Sequence, residues 1–144
     1  MQMDPVIARL RDRVPALRGV EGAARLIALT ASNALSQQPG FNAYVIPMAM
    51  RGGQVTSASG LFVQATEQIV AVILSMRHAD PSGARATAEI DDIRTAIIAA
   101  IAGWVPAEAM GAFRFLRADV VSLVAGTFLY QIEFAIPDQL RITP

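Results

Sequence analysis

The sequence predicts an α+β fold in which helices pack on one face of a mostly antiparallel sheet. Two pairs of strand-like segments lie on either side of one strongly amphipathic helical segment, and strands that are neighbours in sequence usually pair antiparallel. The chain has 144 residues, of which 53% are apolar. That length suits one domain with its own core, so we expect a single domain over residues 1–144.

The N-terminal segment predicts a helix followed by a shorter strand and helix. Asp4 can cap the first helix, and Pro5 suits the first helical position because its missing N–H leaves no hydrogen bond unmade there. Pro15 then ends or kinks that helix. Residues 19–22 predict a short strand, and residues 23–29 predict a second helix.

The next segment predicts an edge strand and a polar connection. Residues 41–48, with the sequence FNAYVIPM, are rich in strand-forming side chains, and Pro47 indicates an edge position or a bulge. Residues 51–60, RGGQVTSASG, contain many Gly and Ser residues. They predict either a flexible loop or the tip of a long hairpin.

The most apolar run of the chain predicts the central strand of the sheet. Residues 69–74 are apolar without alternation, which is typical of a strand that is covered on both faces. The break that follows contains Asp80 and Ser82, either of which can cap the next helix.

Residues 84–103 predict the longest helix. Its apolar side chains recur every three or four residues and form one stripe, made of Ile90, Ile93, Ile97, Ile101 and Trp104. The helix is expected to end at Gly103-Trp104. Because Trp104 is the last apolar position of the stripe, it is expected to fix the helix to the sheet; a role in an exposed ligand site is the alternative.

The C-terminal third predicts a hairpin of residues 113–124 and 127–136, with Ala125-Gly126 at the turn. The second arm alternates, and its core-facing residues are Phe128, Tyr130, Ile132, Phe134 and Ile136. Glu133 lies on the other face, where it can pair with Arg114 or Arg117 of the neighbouring strand. Phe113 and Phe115 are expected to face the core.

Composition excludes several classes of function. With no cysteine there is no disulfide, thiolate zinc site or cysteine nucleophile. His78 is the one histidine, and no Gly-x-Ser-x-Gly motif is present, so we predict no enzyme, cofactor or metal site. The 12 arginines are balanced by 12 acidic residues, which argues against nucleic-acid binding. No apolar run reaches the ~20 residues of a membrane-spanning helix.

Two motifs in the C-terminal half carry a resemblance to a known family. The first is Gly103-Trp104 followed by Pro106, at the end of the long helix. The second contains Tyr130, Gln131 and Phe134, and Arg117 lies in the arm between them. This arrangement resembles phage tail terminator proteins, although that family favours Trp at the position of Tyr130.

The resemblance implies a tail-terminator-like fold, a homo-oligomeric ring, typically a hexamer, and no catalysis or cofactor. Such a ring caps the tail tube, stops its polymerisation and forms the tail side of the head–tail interface. Its partners would be the tail tube protein and the head–tail connector or neck proteins. It would assemble in the host cytoplasm and reside in the virion of a phage or of a phage-like particle such as a gene transfer agent.

Two other functions remain open from the sequence. One is a head-completion or neck adaptor ring, and the other is a small-molecule-binding α+β domain with a pocket near Trp104. For the ring, four regions are expected to meet a neighbouring subunit or the tube: the 51–60 segment, the long helix, the C-terminal hairpin and the tail 137–144. The residues concerned are Arg51, Gly52, Gly53, Gln54, Glu89, Asp92, Arg94, Arg117, Gln131, Glu133 and Arg141.

Overall fold

A computed structural model describes residues 3–57, 60–77, 84–124 and 127–143 of the chain. Its five strands form one sheet in the order β1-β2-β3-β5-β4. The strands are β1 (Leu17–Gly22), β2 (Phe41–Val55), β3 (Phe62–Arg77), β4 (Arg114–Val124) and β5 (Thr127–Ile142), and the helices are α1 (Asp4–Arg13), α2 (Ala23–Ala31) and α3 (Ala84–Ile101).

The pairing of the strands confirms the predicted α+β class. β1 runs parallel to β2, and every other pair in the sheet is antiparallel. β3 is the middle strand, and residues 69–74 are all buried. The apolar run without alternation therefore does mark a strand that is covered on both faces.

The main core lies between the sheet and the two helices α1 and α3. We call this side of the sheet the helical face. Alternate residues of the inner strands point into it, including Val72 of β3 and Ile132 of β5, which are directly opposite each other and fully buried. The predicted stripe of α3 supplies the helical side of the core, because Ile90, Ile93, Ile97 and Ile101 are all buried there.

The opposite side of the sheet holds a smaller core. Leu29 of α2 packs there with Tyr44, Ala71 and Ile73, and a one-turn 3-10 helix, Leu35–Gln37, closes its rim. The expectation that helices share one face therefore holds for α1 and α3 but not for α2. The reason is topological: α2 connects two adjacent parallel strands, and such a crossover has to run over one face of the sheet.

The start of α1 differs from the expected cap. Asp4 is the first helical residue, and Met3 occupies the N-cap position without a side-chain hydrogen bond. Asp4 thus lies in the first turn, where a carboxylate still interacts favourably with the helix dipole. The helix ends at Arg13, before Pro15, as predicted.

Two strands are longer than the sequence suggests. β2 continues to Val55, so the first part of the 51–60 segment belongs to a long hairpin and not to a loop. β5 continues to Ile142 and pairs with β3 as far as Phe62, so the expected free tail after Ile136 is part of the sheet. Pro47 lies at a register shift on an outer edge that β1 leaves uncovered, as its sequence position indicated.

The structure places the two phenylalanines at the start of the C-terminal hairpin differently. Phe113 is fully buried, whereas Phe115 is 41% exposed, so only the first faces the core completely. Phe115 lies near the sheet edge, where β4 has no neighbour among the described residues. The predicted turn at Ala125-Gly126, the caps Asp80 and Ser82 and the residue His78 lie outside the described residues.

Candidate functional site

The part of the sheet that faces away from α1 and α3 carries a connected set of charged side chains beyond the small core under α2. We call this surface the charged face. Its residues are Arg51, Glu67, Arg114, Arg117, Asp119, Gln131 and Glu133. They come from four strands, because alternate positions of β2, β3, β4 and β5 point to the same side.

Arg117 and Glu133 form the centre of the charged face. They are directly opposite each other on β4 and β5, and Arg117 Nε lies 3.2 Å from Glu133 Oε2. The same guanidinium donates a hydrogen bond to Asp119 Oδ2 at 2.6 Å. That hydrogen bond and the two negative charges raise the pKa of Arg117 above its ordinary value. The predicted pairing of Glu133 with an arginine of the adjacent strand is confirmed for Arg117.

A second ion pair ties the edge strand to the middle of the sheet. Arg114 reaches over β5, and its Nη2 donates to Glu67 Oε1 on β3 at 2.9 Å, while Nη1 donates to the other carboxylate oxygen. The hydrogen bond from Arg114 is the main reason why the pKa of Glu67 lies below its ordinary value. Arg51, directly opposite Glu67 on β2, lowers this pKa further through its charge.

The β2–β3 hairpin and the end of β5 extend the sheet beyond the cores. From Pro47 to Val55 every residue of β2 is exposed, including Arg51, Gly52, Gly53 and Gln54. Arg141, directly opposite Val63, lies on the third strand of this extension. The structure therefore places five predicted contact residues in one extension of the sheet. The two that are farthest apart in the sequence, Arg51 and Arg141, are separated by about 90 positions.

Arg94 was predicted to project outward, but the structure shows that it does not. Its Nη1 donates to the hydroxyl oxygen of Tyr130 at 3.2 Å, and its Nη2 lies 2.8 Å from Asp91 Oδ1. The bond to Tyr130 is the largest of the influences that raise the pKa of Arg94. Arg94 thus links α3 to the helical face of β5, and the other two predicted α3 residues are Asp92, which is exposed, and Glu89, which is partly buried.

Trp104 lies just after α3 and fixes the end of that helix. Gly103 adopts the left-handed conformation (φ +82°), which reverses the chain and favours glycine. The backbone of the Gly103-Trp104 turn then exchanges two hydrogen bonds with Phe113, of 2.8 and 2.9 Å. The indole stacks on Phe113 at 5.8 Å between centroids, and the guanidinium of Arg9 lies 4.7 Å from its centre.

An open cleft of about 330 Å³ lies near this turn but does not include the indole. It is lined by Pro5, residues 106–110 and residues 136–138. Since Trp104 is partly buried against the core and is not a lining residue, its surroundings favour the packing role over the ligand-site role. Pro106, the last residue of the first motif, is buried beside the cleft.

The described part of the chain offers few groups for other chemistry. Among residues 3–57, 60–77, 84–124 and 127–143, no three His, Cys, Asp or Glu side chains converge where they could hold a metal ion. In the same residues, no helix has the length and apolar character needed to cross a bilayer.

Sequence reasoning missed Glu67 and Asp119, which pair with Arg114 and Arg117 on the charged face. Asp119 stands between two apolar residues, and such an isolated charge in a strand is the signal that could have identified it. Glu67, between two polar residues, carries no such signal. The partner of Glu67 could not be read from the sequence, because its pairing with Arg114 crosses an intervening strand.

Comparison with known proteins adds one match. The family model described as "Phage tail terminator protein" matches residues 1–144, which is the whole sequence. A search of curated proteins finds no relative that matches this sequence.

Proposed function

Because the chain belongs to the phage tail terminator protein family, and so has a structural role in a phage tail, we propose that it caps the tail tube as a homo-oligomeric ring. The ring ends tube polymerisation and forms the tail side of the head–tail interface. We take a hexamer as the working stoichiometry, and a single domain spanning residues 1–144 as the repeating unit.

The observation that carries this proposal is the three-stranded extension. Residues 47–55 are exposed throughout, yet they include the large apolar side chains of Met48, Met50 and Val55. A strand segment that is exposed along its whole length gains little from its own apolar residues, so exposed apolar positions of this kind mark a contact surface. In the ring, Arg51, Gly52, Gly53, Gln54 and Arg141 contact a neighbouring subunit or the end of the tube.

The charged face supplies the second contact surface. Its arginines and carboxylates already form pairs within the chain, and each planar guanidinium can donate hydrogen bonds to a further carboxylate of a partner. In the proposed ring, Arg117, Gln131 and Glu133 lie at or near this contact. The exposed acid Asp92, together with the partly buried Glu89 on α3, faces the next protomer or the neck proteins.

The proposed role requires neither catalysis nor a cofactor. The work of the protein is to bind copies of itself, the tube protein and the connector, and the free energy for this comes from contact surfaces. We expect assembly in the host cytoplasm and a final location in the tail of the virion, with no membrane and no sequence-specific nucleic acid as a partner.

Mass photometry of the purified chain, alone and mixed with preformed tail tubes, tests the proposal. We expect a ring-sized species, or a ring that forms only at tube ends, together with labelled protein at one end of each tube. Asp92→Arg is expected to weaken the ring more at low salt than at high salt, because the added charge is screened.

Two outcomes would contradict the proposal. A ring that binds the isolated connector but never a tube end would favour the neck adaptor role instead. A chain that remains a single copy with tubes present, and whose tryptophan fluorescence responds to small molecules, would favour the ligand-binding domain.

A further inference from the structure

Within the described residues, the sheet has two free edges on opposite sides. β4 is the outermost strand on one side. On the other side, β1 pairs with β2 only up to Val45, so the outer edge of β2 is uncovered from residue 46 to 55. An uncovered strand presents a row of unpaired N–H and C=O groups, which is a template for pairing with another strand.

The two free edges are complementary in direction and length. β2, β3, β5 and β4 alternate in direction, so β2 and β4 run opposite ways. If a second copy is placed with its β2 beside the first copy's β4, the two strands are antiparallel and both helical faces lie on the same side. β4 is 11 residues long, and the free part of β2, residues 46–55, is nearly as long.

The irregularities of the two edges also coincide. In β2 the register shifts lie between Pro47 and Ala49 and between Gly52 and Val55. In β4 they lie between Phe115 and Arg117 and between Val120 and Ser122. Each edge therefore has one short regular run between two bulges. Bulges usually protect an edge from pairing by bending it, but two edges that bend at matching places can still follow each other.

Side-chain direction and charge select one register. Residues that face each other must point to the same side of the joined sheet, so the alignment can shift only in steps of two. When Asp119 is opposite Arg51, an acid faces a base on the charged face, and Val120 faces Met50 on the helical face. A slip by two residues in one direction sets Arg117 against Arg51, which is repulsive.

The same register brings exposed apolar side chains together. Val120 and Met50, which face each other, are 50% and 61% exposed. Phe115 and Val55 also face each other, because each edge contains one extra residue between the two pairs. They are 41% and 49% exposed. These four side chains all lie on the helical face of the sheet. Their pairing would bury this apolar surface between one copy and the next.

We propose that copies of this chain join by antiparallel pairing of β4 of one copy with residues 46–55 of β2 of the next, with Asp119 opposite Arg51. The proposal rests on the ring proposed above and specifies its subunit contact. The contact is head-to-tail, since each copy uses a different edge on either side, and head-to-tail contacts produce rings when they close.

The offset between copies is compatible with closure. Asp119 lies level with Tyr44 of its own copy, whereas in the proposed contact it lies level with Arg51 of the next copy. Neighbouring copies are therefore offset along the strand direction by about six residues, or about 20 Å. Four strands per copy span about 19 Å across the sheet. The strands would therefore tilt by about 45° from the ring axis, which is close to the tilt of strands in closed barrels.

Disulfide trapping tests the register directly, because the chain contains no cysteine of its own. Side chains directly opposite each other in neighbouring strands have Cβ atoms about 5 Å apart, which a disulfide can bridge with little movement. Mixed Arg51→Cys and Asp119→Cys proteins should give linked dimers under oxidation. A protein with both substitutions should give a ladder of linked multimers that reductant collapses, and each single variant alone should give no link.

The matched control combines Asp119→Cys with Ala99→Cys, an exposed position on α3 that belongs to neither paired edge and to no proposed contact. This combination should give no ladder. As a second measurement, Arg51→Asp should abolish ring formation, and adding Asp119→Arg should restore it. Both positions are exposed, so the thermal unfolding of the variants should stay close to that of the unmodified chain.

The possible failures are distinguishable. Rings of normal mass in which the Arg51→Cys and Asp119→Cys sites never link would overturn the edge pairing and leave the ring intact. Self-linking of either single variant would show a like-with-like contact and would also overturn it. Single copies that neither link nor assemble at tube ends would overturn both the pairing and the proposed function.

Discussion

Single arginines in this protein connect elements that are distant in sequence. Arg114 joins β4 to β3 through Glu67, Arg94 joins α3 to Tyr130 of β5, and Arg9 of α1 lies over the indole of Trp104. A guanidinium presents five donors in a fixed plane, so it can bind a carboxylate or stack on an aromatic group while its stem packs on apolar surface. Arg94, which was predicted only as a surface contact, therefore also holds the fold together.

Trp104 is expected to contribute to stability and not to ligand binding. Replacing it by Ala removes its stacking on Phe113 and its packing against the core, so Trp104→Ala should lower the free energy of unfolding by about 2–3 kcal/mol. Val105→Ala, at a neighbouring side chain that is 54% exposed, is the control and should change it by less than ~0.5 kcal/mol. Urea unfolding measures both, and equal effects would contradict the packing role.

Acid should weaken the fold partly through Glu67. Its pKa is lowered in the folded protein by Arg114, so the folded chain binds this proton less readily than the unfolded chain. The ion pair therefore stabilises the fold at pH values above the unfolded pKa, and the contribution disappears as the pH falls through the lower, folded pKa.

Glu67→Gln should consequently lose less stability than the unmodified protein between neutral pH and about pH 3. Thermal unfolding across this range measures the difference. Arg114→Gln, which removes the cause of the shift, should reduce the acid sensitivity in the same way. Curves that run parallel for all three proteins would refute a role for this pair.

At the scale of elements, sequence periodicity predicted the helices and strands that bury one face in the core. The stripe of α3 and the alternation of β5 were read correctly, because both faces of these elements differ strongly in polarity. The end of β5 was missed, and residues 51–55 of β2 were left open between a loop and a hairpin, since residues 51–55 and 137–142 are mostly polar, Gly or Pro. Their strand conformation is set by ladder pairing with β3, which the sequence does not display.

The candidate site was also predictable only in part, because the sequence does not display contacts between distant elements. The pair Arg117 and Glu133 could be predicted, because two strands of one hairpin have a register fixed by their turn. The position of α2 on the second face could not, since its short apolar run fits either side of the sheet. Arg94 was misplaced because its hydroxyl partner, Tyr130, lies on a different element.

Removing residues 52–59 should separate folding from function. The described residues among them, 52–57, are exposed, and none of these belongs to either core. The deletion variant should still unfold cooperatively, with a midpoint within a few degrees of the full chain, but it should no longer assemble at tube ends. Circular dichroism and mass photometry measure the two properties, and a variant that still assembles would exclude the extension as a contact surface.

At the scale of the whole molecule, this protein offers contact surfaces on several sides. Within the described residues the sheet ends in two uncovered edges, and residues 47–55 of β2 are exposed throughout. The 12 positive and 12 negative side chains cancel, so copies do not repel each other through net charge. These properties suit a family of phage tail structural proteins. They are also what a head-to-tail assembly needs, because each copy must present two different surfaces.

Tube elongation in the presence of the protein tests the proposed capping role most directly. Purified tail tube protein would be allowed to polymerise, with this protein added partway, and tube lengths would be measured by electron microscopy over time. We predict that elongation stops soon after the addition and that one end of each tube carries an extra ring of density. Tubes that continue to grow at the same rate, with unchanged ends, would contradict the capping role.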